Sequence, residues 1–152
     1  MRIIVAAVGR ARGGVEARLY EHYAARVTWP LALKEIDLGR ALAPAEQKLR
    51  EGERLLAAVP GAAKLIALDG QGSALTSEDF AARLGRWRDD GVPALAFLIG
   101  GAEGLAPAVL ARADLVLALG RLTWPHLLVR GLLAEQLYRA QQILAGHPYH
   151  RG

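Results

Sequence analysis

The chain of 152 residues contains no cysteine. It can therefore form no disulfide and use no thiolate, and at this length the apolar core suffices without such links. No apolar run reaches the ~20 residues of a membrane span, and the opening residues 1–8 lack the basic, apolar and small segments of a secretory signal. These absences predict a single domain over residues 1–152, in the cytoplasm and without a membrane partner.

Signatures for phosphate and metal binding are missing as well. No G-x-x-x-x-G-K-[ST] run is present, which excludes the usual P-loop, and no G-x-G-x-x-G follows the first apolar run. The H-E-x-x-H and EF-hand spacings are absent, so we predict no metal site. The G-x-S-x-G elbow of many hydrolases is absent too.

The net charge of +4 and an isoelectric point near 9.8 permit a polyanionic partner without requiring one. Most of the 19 basic residues are arginine, a side chain suited to phosphate and to stacking on bases. A solvated surface explains the same excess, so both interpretations stand at this point.

Apolar runs alternate with amphipathic segments along the whole chain. Strands are predicted over residues 1–8, 31–38, 64–68, 94–99 and 114–119, and helices over residues 13–27, 44–59, 76–90, 106–113 and 126–144. The run Ala94–Ile99 is wholly apolar, which is typical of a strand covered on both faces of a parallel sheet. The pattern predicts an α/β fold with a mostly parallel sheet of five or six strands.

Three of the predicted strands end in loops that suit close backbone contact. These loops are Leu68–Gly70, Ile99–Gly101 and Leu119–Pro125. Because the carboxyl ends of parallel strands share one edge of a sheet, we expect the loops to meet. Glycines and apolar side chains with few charges favour a nucleoside-like ligand held by backbone groups. Within this region, Asp69 could anchor its own turn, and Trp124 could line the pocket or a dimer interface.

The combination of motifs resembles the RlmH family, small bacterial SPOUT-class methyltransferases that act on large-subunit ribosomal RNA. The similarity spans the whole chain and is carried by the following residues: Leu68-Asp69 followed by Gly72, Leu98–Gly104, Leu122–His126 with Arg130, and His147–Arg151. Two positions differ, because Ala102 and Leu127 stand where the family commonly has proline.

The resemblance implies a sheet with helices on both faces and a C-terminal trefoil knot. It also implies a homodimer that binds S-adenosylmethionine and methylates N3 of a pseudouridine in 23S ribosomal RNA on the ribosome. The residues matched to cofactor binding are Leu68, Gly100, Leu119, Gly120, Arg121, Leu122, Thr123 and Trp124. They fall in the three loops that the strand ends indicate.

The polar C-terminal tail, residues 147–152, is the expected source of the groups that act on the acceptor. Tyr149 could stack on a base, Arg151 could bind phosphate or a developing oxyanion, and His150 could relay a proton. These three are the catalytic candidates, and no single base is assigned. A frayed, solvated terminus is the alternative for the tail.

The residues predicted to bind RNA are His147, Tyr149, Arg151 and Arg130. Arg130 follows His126 by four positions, which puts both on one face of a helix, where they could face RNA or stabilise the helix start. Two other functions remain open: methylation of another RNA nucleoside, for example in transfer RNA, and a ribosome- or RNA-binding module without catalysis.

Overall fold

The computed structural model describes residues 1–151, which form five strands and five helices in strict alternation. The strands are β1 (Arg2–Val8), β2 (Leu31–Ile36), β3 (Lys64–Ala74), β4 (Ala94–Ile99) and β5 (Leu115–Ala118). The helices are α1 (Val15–Ala24), α2 (Pro44–Ala57), α3 (Ser77–Asp89), α4 (Pro107–Arg112) and α5 (His126–Leu144). The predicted bounds of β4 and α5 are confirmed to the residue.

The strands form one sheet in the order β2-β1-β4-β3-β5, and every pair is parallel. The two strands with the longest apolar runs, β1 and β4, lie next to each other inside the sheet. All six residues of β4 are buried, as expected for a strand covered on both faces. The predicted parallel α/β fold is confirmed, with five strands.

Helices cover both faces of the sheet, because alternate strand residues point to opposite sides. On one face, Val5 and Phe97 belong to a core that includes Leu84 of α3 and Leu137 of α5. On the other face, Ala6, Val8 and Leu98 pack with Leu55 of α2 and Val109 of α4. The carboxyl ends of the parallel strands lie at one edge of the sheet.

Strand β3 differs from its prediction, since it continues through the expected loop to Ala74. Leu117 of β5 pairs first with Leu68 and then with Ser73, so the residues between them form a bulge rather than the end of the strand. A Cβ at Gly72 would lie 2.6 Å from the carbonyl oxygen of Val116, so only glycine permits this approach to β5. Asp69 anchors the bulge as predicted, because its Oδ1 accepts a hydrogen bond of 2.8 Å from the amide of Gln71.

Two helix ends follow local rules. Thr76 is the N-cap of α3, and its Oγ1 accepts a hydrogen bond of 3.0 Å from the amide of Asp79. Helix α2 ends at Ala57, two residues before the predicted end, because Pro60 disfavours helical backbone at Val59.

The trefoil knot stays a prediction. Within residues 1–151, no helix combines the length and apolarity needed to cross a bilayer.

Candidate functional site

A cavity of about 490 Å³ opens at the carboxyl edge of β3, β4 and β5. The three loops predicted to meet there do so, and each contributes to its wall. The eight residues matched to cofactor binding all line it: Leu68, Gly100, Leu119, Gly120, Arg121, Leu122, Thr123 and Trp124. Their identity as cofactor contacts remains a prediction, but the structure brings all eight to one site.

The wall contributed by β4 is a glycine turn that folds back on itself. The amide of Gly104 donates a hydrogen bond of 3.0 Å to the carbonyl of Gly101, and Gly104 has a φ of +77°. A Cβ at Gly100 would lie 2.7 Å from the carbonyl carbon and oxygen of Gly104. A side chain is therefore excluded at Gly100, and the cavity wall at that residue is bare backbone.

A buried carboxylate lies behind the same turn, and sequence reasoning missed it. Glu51 of α2 is only 5% exposed, and its Oε2 accepts a hydrogen bond of 3.0 Å from Nε2 of Gln47. A Cβ at Gly101 would lie 3.2 Å from that oxygen, so the carboxylate packs directly against the glycine. The spacing of Gln47 and Glu51 by four positions is the only sequence signal for the pair.

The wall contributed by the β5–α5 loop is closed by a side-chain hydrogen bond. Nε1 of Trp124 donates to the carbonyl of Leu119 at 3.0 Å, and Gly120 between them has a φ of +97°. The loop leaves apolar side chains at the rim, with Leu122 74% and Trp124 40% exposed. Trp124 thus lines the cavity, and the exposed part of its side chain is available to contact another molecule.

The cavity suits the kind of ligand that the sequence indicates. Its volume falls within the range of about 300–1,000 Å³ typical of cofactor pockets, and its walls combine leucine side chains with glycine backbone. Within residues 1–151, no group of three or more potential metal ligands is found. Such a lining can hold a nucleoside through its apolar faces and through backbone hydrogen bonds.

The tail folds onto its own chain, away from this cavity. The hydroxyl of Tyr149 donates a hydrogen bond of 3.2 Å to Oε1 of Glu135, and its ring packs edge to face with Tyr138 at 4.7 Å. The guanidinium of Arg139 lies 5.0 Å from the centre of the same ring. Burial, and then the Glu135 carboxylate, raise the pKa of Tyr149, so the phenol is neutral at physiological pH.

His150 connects two helices. Its Nε2 lies 2.7 Å from Oε1 of Glu78 in the first turn of α3, and its Nδ1 lies 3.1 Å from Nη1 of Arg139 in α5. The hydrogen bond with His150 lowers the pKa of Glu78. Sequence reasoning missed Glu135 and Arg139, although their spacing of four on one helix signals an ion pair, which the structure has at 2.6 Å.

The other two tail candidates are exposed. His147 accepts a hydrogen bond of 3.2 Å from the amide of Tyr149. Within residues 1–151, Arg151 makes one hydrogen bond, to the carbonyl of Pro148 at 3.4 Å. Gly152, the last residue of the predicted tail, lies outside the described residues. None of the described tail residues lines the cavity. One chain therefore does not bring the catalytic candidates and the cofactor candidates together.

The prediction that Arg130 contacts RNA is wrong for this arrangement of the chain. Arg130 is 1% exposed, and its guanidinium donates to Glu35 at 2.6 Å and to the carbonyls of Val8 and Gly9 at 3.1 and 2.7 Å. A side chain so enclosed has no exposed surface with which to reach a phosphate. It instead fixes the β1–α1 loop against α5. His126, on the turn before it, lines the cavity.

The chain matches the family model described as "Predicted SPOUT methyltransferase" over residues 1–150. It is 60% identical over 151 residues to a Rhodospirillum centenum protein named "Ribosomal RNA large subunit methyltransferase H", with 99% of each chain covered. A Paramagnetospirillum magneticum protein of the same name is 55% identical over 151 residues, also with 99% of each covered. Among solved structures, the ribosomal RNA small subunit methyltransferase E of Neisseria gonorrhoeae, bound to S-adenosyl methionine, is 13% identical with a TM-score of 0.47. That alignment covers 95% of this chain and 66% of the solved chain.

Proposed function

Because the chain belongs to the SPOUT methyltransferase family, we propose that it transfers a methyl group from S-adenosylmethionine to N3 of a pseudouridine in 23S ribosomal RNA. The observation that carries this proposal is the 60% identity, over 99% of both chains, to a protein named as a large-subunit ribosomal RNA methyltransferase. The pseudouridine and its N3 follow from the family that the motifs resemble. The cytoplasm, where ribosomes work, is the proposed location.

We assign the cofactor to the cavity at the carboxyl edge of the sheet. When bound there, S-adenosylmethionine would supply an electrophilic methyl group, which in-line displacement would move from the sulfonium sulfur to N3 of the base, with a neutral thioether as the leaving group. The glycine turn at Gly100 offers backbone close to the ligand, and the loop from Leu119 to Trp124 covers it with apolar side chains. These walls exclude water and hold the donor in one orientation, which is the main task of the protein in such a transfer.

The tail is proposed to act on the acceptor nucleotide. N3 of the base carries a proton that must leave, and the base becomes anionic as it does so. Arg151 supplies a cation for that anion, Tyr149 a ring to stack on the base, and His150 a group able to relay the proton. The three residues are proposed as a set, and His147 and Arg151 are proposed to contact RNA as well. The role of general base, which removes the proton from N3, is not assigned to any one of the three.

We further propose that the active form is a homodimer. Within one chain, the tail rests on α3 and α5, while the cofactor residues lie around the cavity, so a second copy has to bring its tail to this site. The exposed Leu122 and Trp124 at the cavity rim support an interface there, since large apolar side chains at a surface commonly mark a contact.

Two measurements test the proposed function separately. Isothermal titration calorimetry with S-adenosylmethionine is expected to give saturable binding, and no binding would contradict the enzyme assignment in favour of a module without catalysis. Mass mapping of ribosomal RNA from a strain that lacks the gene is expected to show loss of one methyl from a pseudouridine in 23S RNA. If that methyl persists and a transfer RNA nucleoside loses one instead, the substrate is transfer RNA.

A further inference from the structure

We propose that Arg10, Arg12 and Arg40, here called the basic surface, bind phosphates of the ribosomal RNA and hold it beside the cavity. The three residues lie on the loops that follow β1 and β2, outside every group of residues already assigned to the cofactor or to the acceptor base. This inference rests on the proposed function, since it names how the same site holds its substrate.

Two of the three arginines, Arg10 and Arg12, act on one carboxylate, and Arg40 follows that carboxylate on the same loop. Nε of Arg10 lies 3.1 Å from Oδ2 of Asp37, and Oδ1 of Asp37 accepts a hydrogen bond of 2.9 Å from the amide of Gly39, the residue before Arg40. The pKa of Asp37 is lowered by that amide, by Arg10 and by the charge of Arg12. Two loops distant in sequence therefore form one continuous surface.

The basic surface keeps a net positive charge that the protein does not neutralise. Arg10, Arg12 and Arg40 are exposed, and within the described residues neither Arg12 nor Arg40 forms a salt bridge. Glu35 lies close by, but its Oε2 accepts hydrogen bonds from Nη1 of Arg130 at 2.6 Å and from the amide of Ala11 at 2.9 Å. The carboxylate of Asp37 thus lies near Arg10 and Arg12, and no salt bridge within the described residues offsets the charge of Arg40.

The loop that carries two of these arginines is held in a defined conformation. Arg12 has a φ of +50°, a left-handed backbone that residues with a side chain seldom adopt, and Gly9 and Gly13 are also left-handed. The buried Arg130 fixes the start of the loop through the carbonyls of Val8 and Gly9. Such an anchored loop presents its guanidinium groups with less loss of conformational freedom on binding.

The same loop directly adjoins the cofactor cavity. The ends of β1 and β2 lie at the edge of the sheet where the cavity opens, because all five strands are parallel. A Cβ at Gly9 would lie 3.4 Å from Nε2 of His126, and His126 lines the cavity. An RNA strand on the basic surface would consequently pass beside the place where the methyl donor is proposed to bind.

Planar guanidinium groups favour phosphates over other acidic partners, because each presents two parallel N–H donors that match a pair of phosphate oxygens. Arginine contacts to the backbone position an RNA without reading its sequence, a role that the cofactor loops and the tail leave open. The net charge of +4 acts in the same direction by favouring approach of the polyanion.

The test compares two triple variants that remove equal charge. The first, Arg10→Gln with Arg12→Gln and Arg40→Gln, removes the basic surface. The control, Arg2→Gln with Arg86→Gln and Arg88→Gln, acts at the opposite edge, where β1 begins and α3 ends. The control also matches the first variant in its salt bridges, because each set has one paired arginine. Arg88 contacts Asp89 at 2.9 Å, while Arg2 and Arg86 form no salt bridge within residues 1–151.

Binding to large ribosomal subunits from a strain lacking the gene is measured over a series of salt concentrations, without methyl transfer. We expect the first variant to bind about tenfold more weakly. We also expect the negative slope of log binding constant against log salt concentration to become shallower by about 2, while the affinity of the control stays within about twofold of that of the unaltered protein. Calorimetry with S-adenosylmethionine is expected to give the same affinity for all three proteins.

Unaltered affinity and salt slope in the first variant would overturn the inference, and so would equal losses in both variants, which would show only a general effect of charge. Failure of the proposed function gives a different pattern: the subunits bind through the basic surface, yet the ribosomal RNA receives no methyl group. Thermal unfolding of both variants confirms that each is folded before binding is compared.

Discussion

Nη1 of Arg130 in helix α5 lies 2.6 Å from Oε2 of Glu35 in strand β2, and the two residues are 95 positions apart in the chain. The pair joins the last helix to an edge strand of the sheet. Because Arg130 also donates to the carbonyls of Val8 and Gly9, it ties three elements together at the border of the cavity. We therefore expect this guanidinium to stabilise the fold and to hold the loop that carries Arg10 and Arg12 of the proposed basic surface.

Replacing Arg130 by methionine is expected to lower the free energy of unfolding by about 2–4 kcal/mol. The change leaves two loop carbonyls without their donor and Glu35 without its cation, although the partial exposure of Glu35, at 31%, moderates the loss. Urea unfolding measures the difference. The matched control is Arg50→Met, since Arg50 is 52% exposed in its ion pairs and should change stability by less than about 1 kcal/mol. Equal effects of both changes would contradict the anchoring role of Arg130.

The ion pair also predicts a dependence of stability on pH. Burial raises the pKa of Glu35, but the hydrogen bonds from Arg130 and from the amide of Ala11 outweigh it, so the pKa is lowered from its usual 4.5. A lowered pKa in the folded state adds stability above the unfolded value, and this stability is lost as the pH falls through the folded value.

We therefore expect Glu35→Gln to be less stable than the unaltered protein by a constant amount from about pH 6 to pH 8, with the difference shrinking below the unfolded value of 4.5. Paired urea titrations at several pH values measure this. A difference that persists unchanged to about pH 3 would mean that the ionised carboxylate is not the source of the stability.

A third prediction concerns the glycine turn. In Gly100→Ala the new Cβ would meet the backbone carbonyl of Gly104 at 2.7 Å, and backbone cannot move aside as a flexible side chain does. We expect the turn to shift and the affinity for S-adenosylmethionine to fall at least tenfold, as measured by calorimetry. Gly61→Ala is the control, because a Cβ at Gly61 meets no atom within 4 Å. Unchanged affinity in Gly100→Ala would remove the turn from the proposed cofactor site.

The cavity could be predicted from the sequence because its determinants are local. An apolar run such as Ala94–Ile99 implies a parallel strand, and parallel strands bring their terminal loops to one edge whatever the strand order. The bulge in β3 could not be predicted, since it depends on β5 approaching Gly72, which the chain reaches more than 40 residues later.

The environment of Arg130 was beyond sequence reasoning for the same reason. Its spacing from His126 gives the face of the helix, but not what that face meets, and the partner Glu35 belongs to a distant strand. The docking of the tail is a further case. The residue types of His150 and Tyr149 suggest chemistry, whereas their contacts with Glu78 and Glu135 depend on how α3 and α5 pack together.

Removal of the tail, residues 147–152, is expected to abolish methylation of ribosomal RNA while the affinity for S-adenosylmethionine stays within a few-fold. The described tail residues do not line the cavity, so the cofactor walls survive the truncation. Transfer of a labelled methyl group and calorimetry give the two readouts. Glu78→Ala serves as control, because it frees His150 from α3 without removing a tail side chain, and it should retain methylation. Parallel loss of cofactor affinity and methylation would contradict this division of roles.

The homodimer makes a prediction of its own, which co-expression of two impaired proteins, assayed at a cofactor concentration that Gly100→Ala does not bind, can test. One partner carries Gly100→Ala and lacks a working cofactor turn, and the other lacks residues 147–152. If the tail acts on the cavity of its partner, a mixed dimer has one complete site, made of the intact cavity of the truncated chain and the tail of the other. Co-expression is then expected to restore up to about half of the activity per mixed dimer, since one of its two sites is complete. If each tail serves its own cavity, every site in the mixture lacks one component, and activity stays absent.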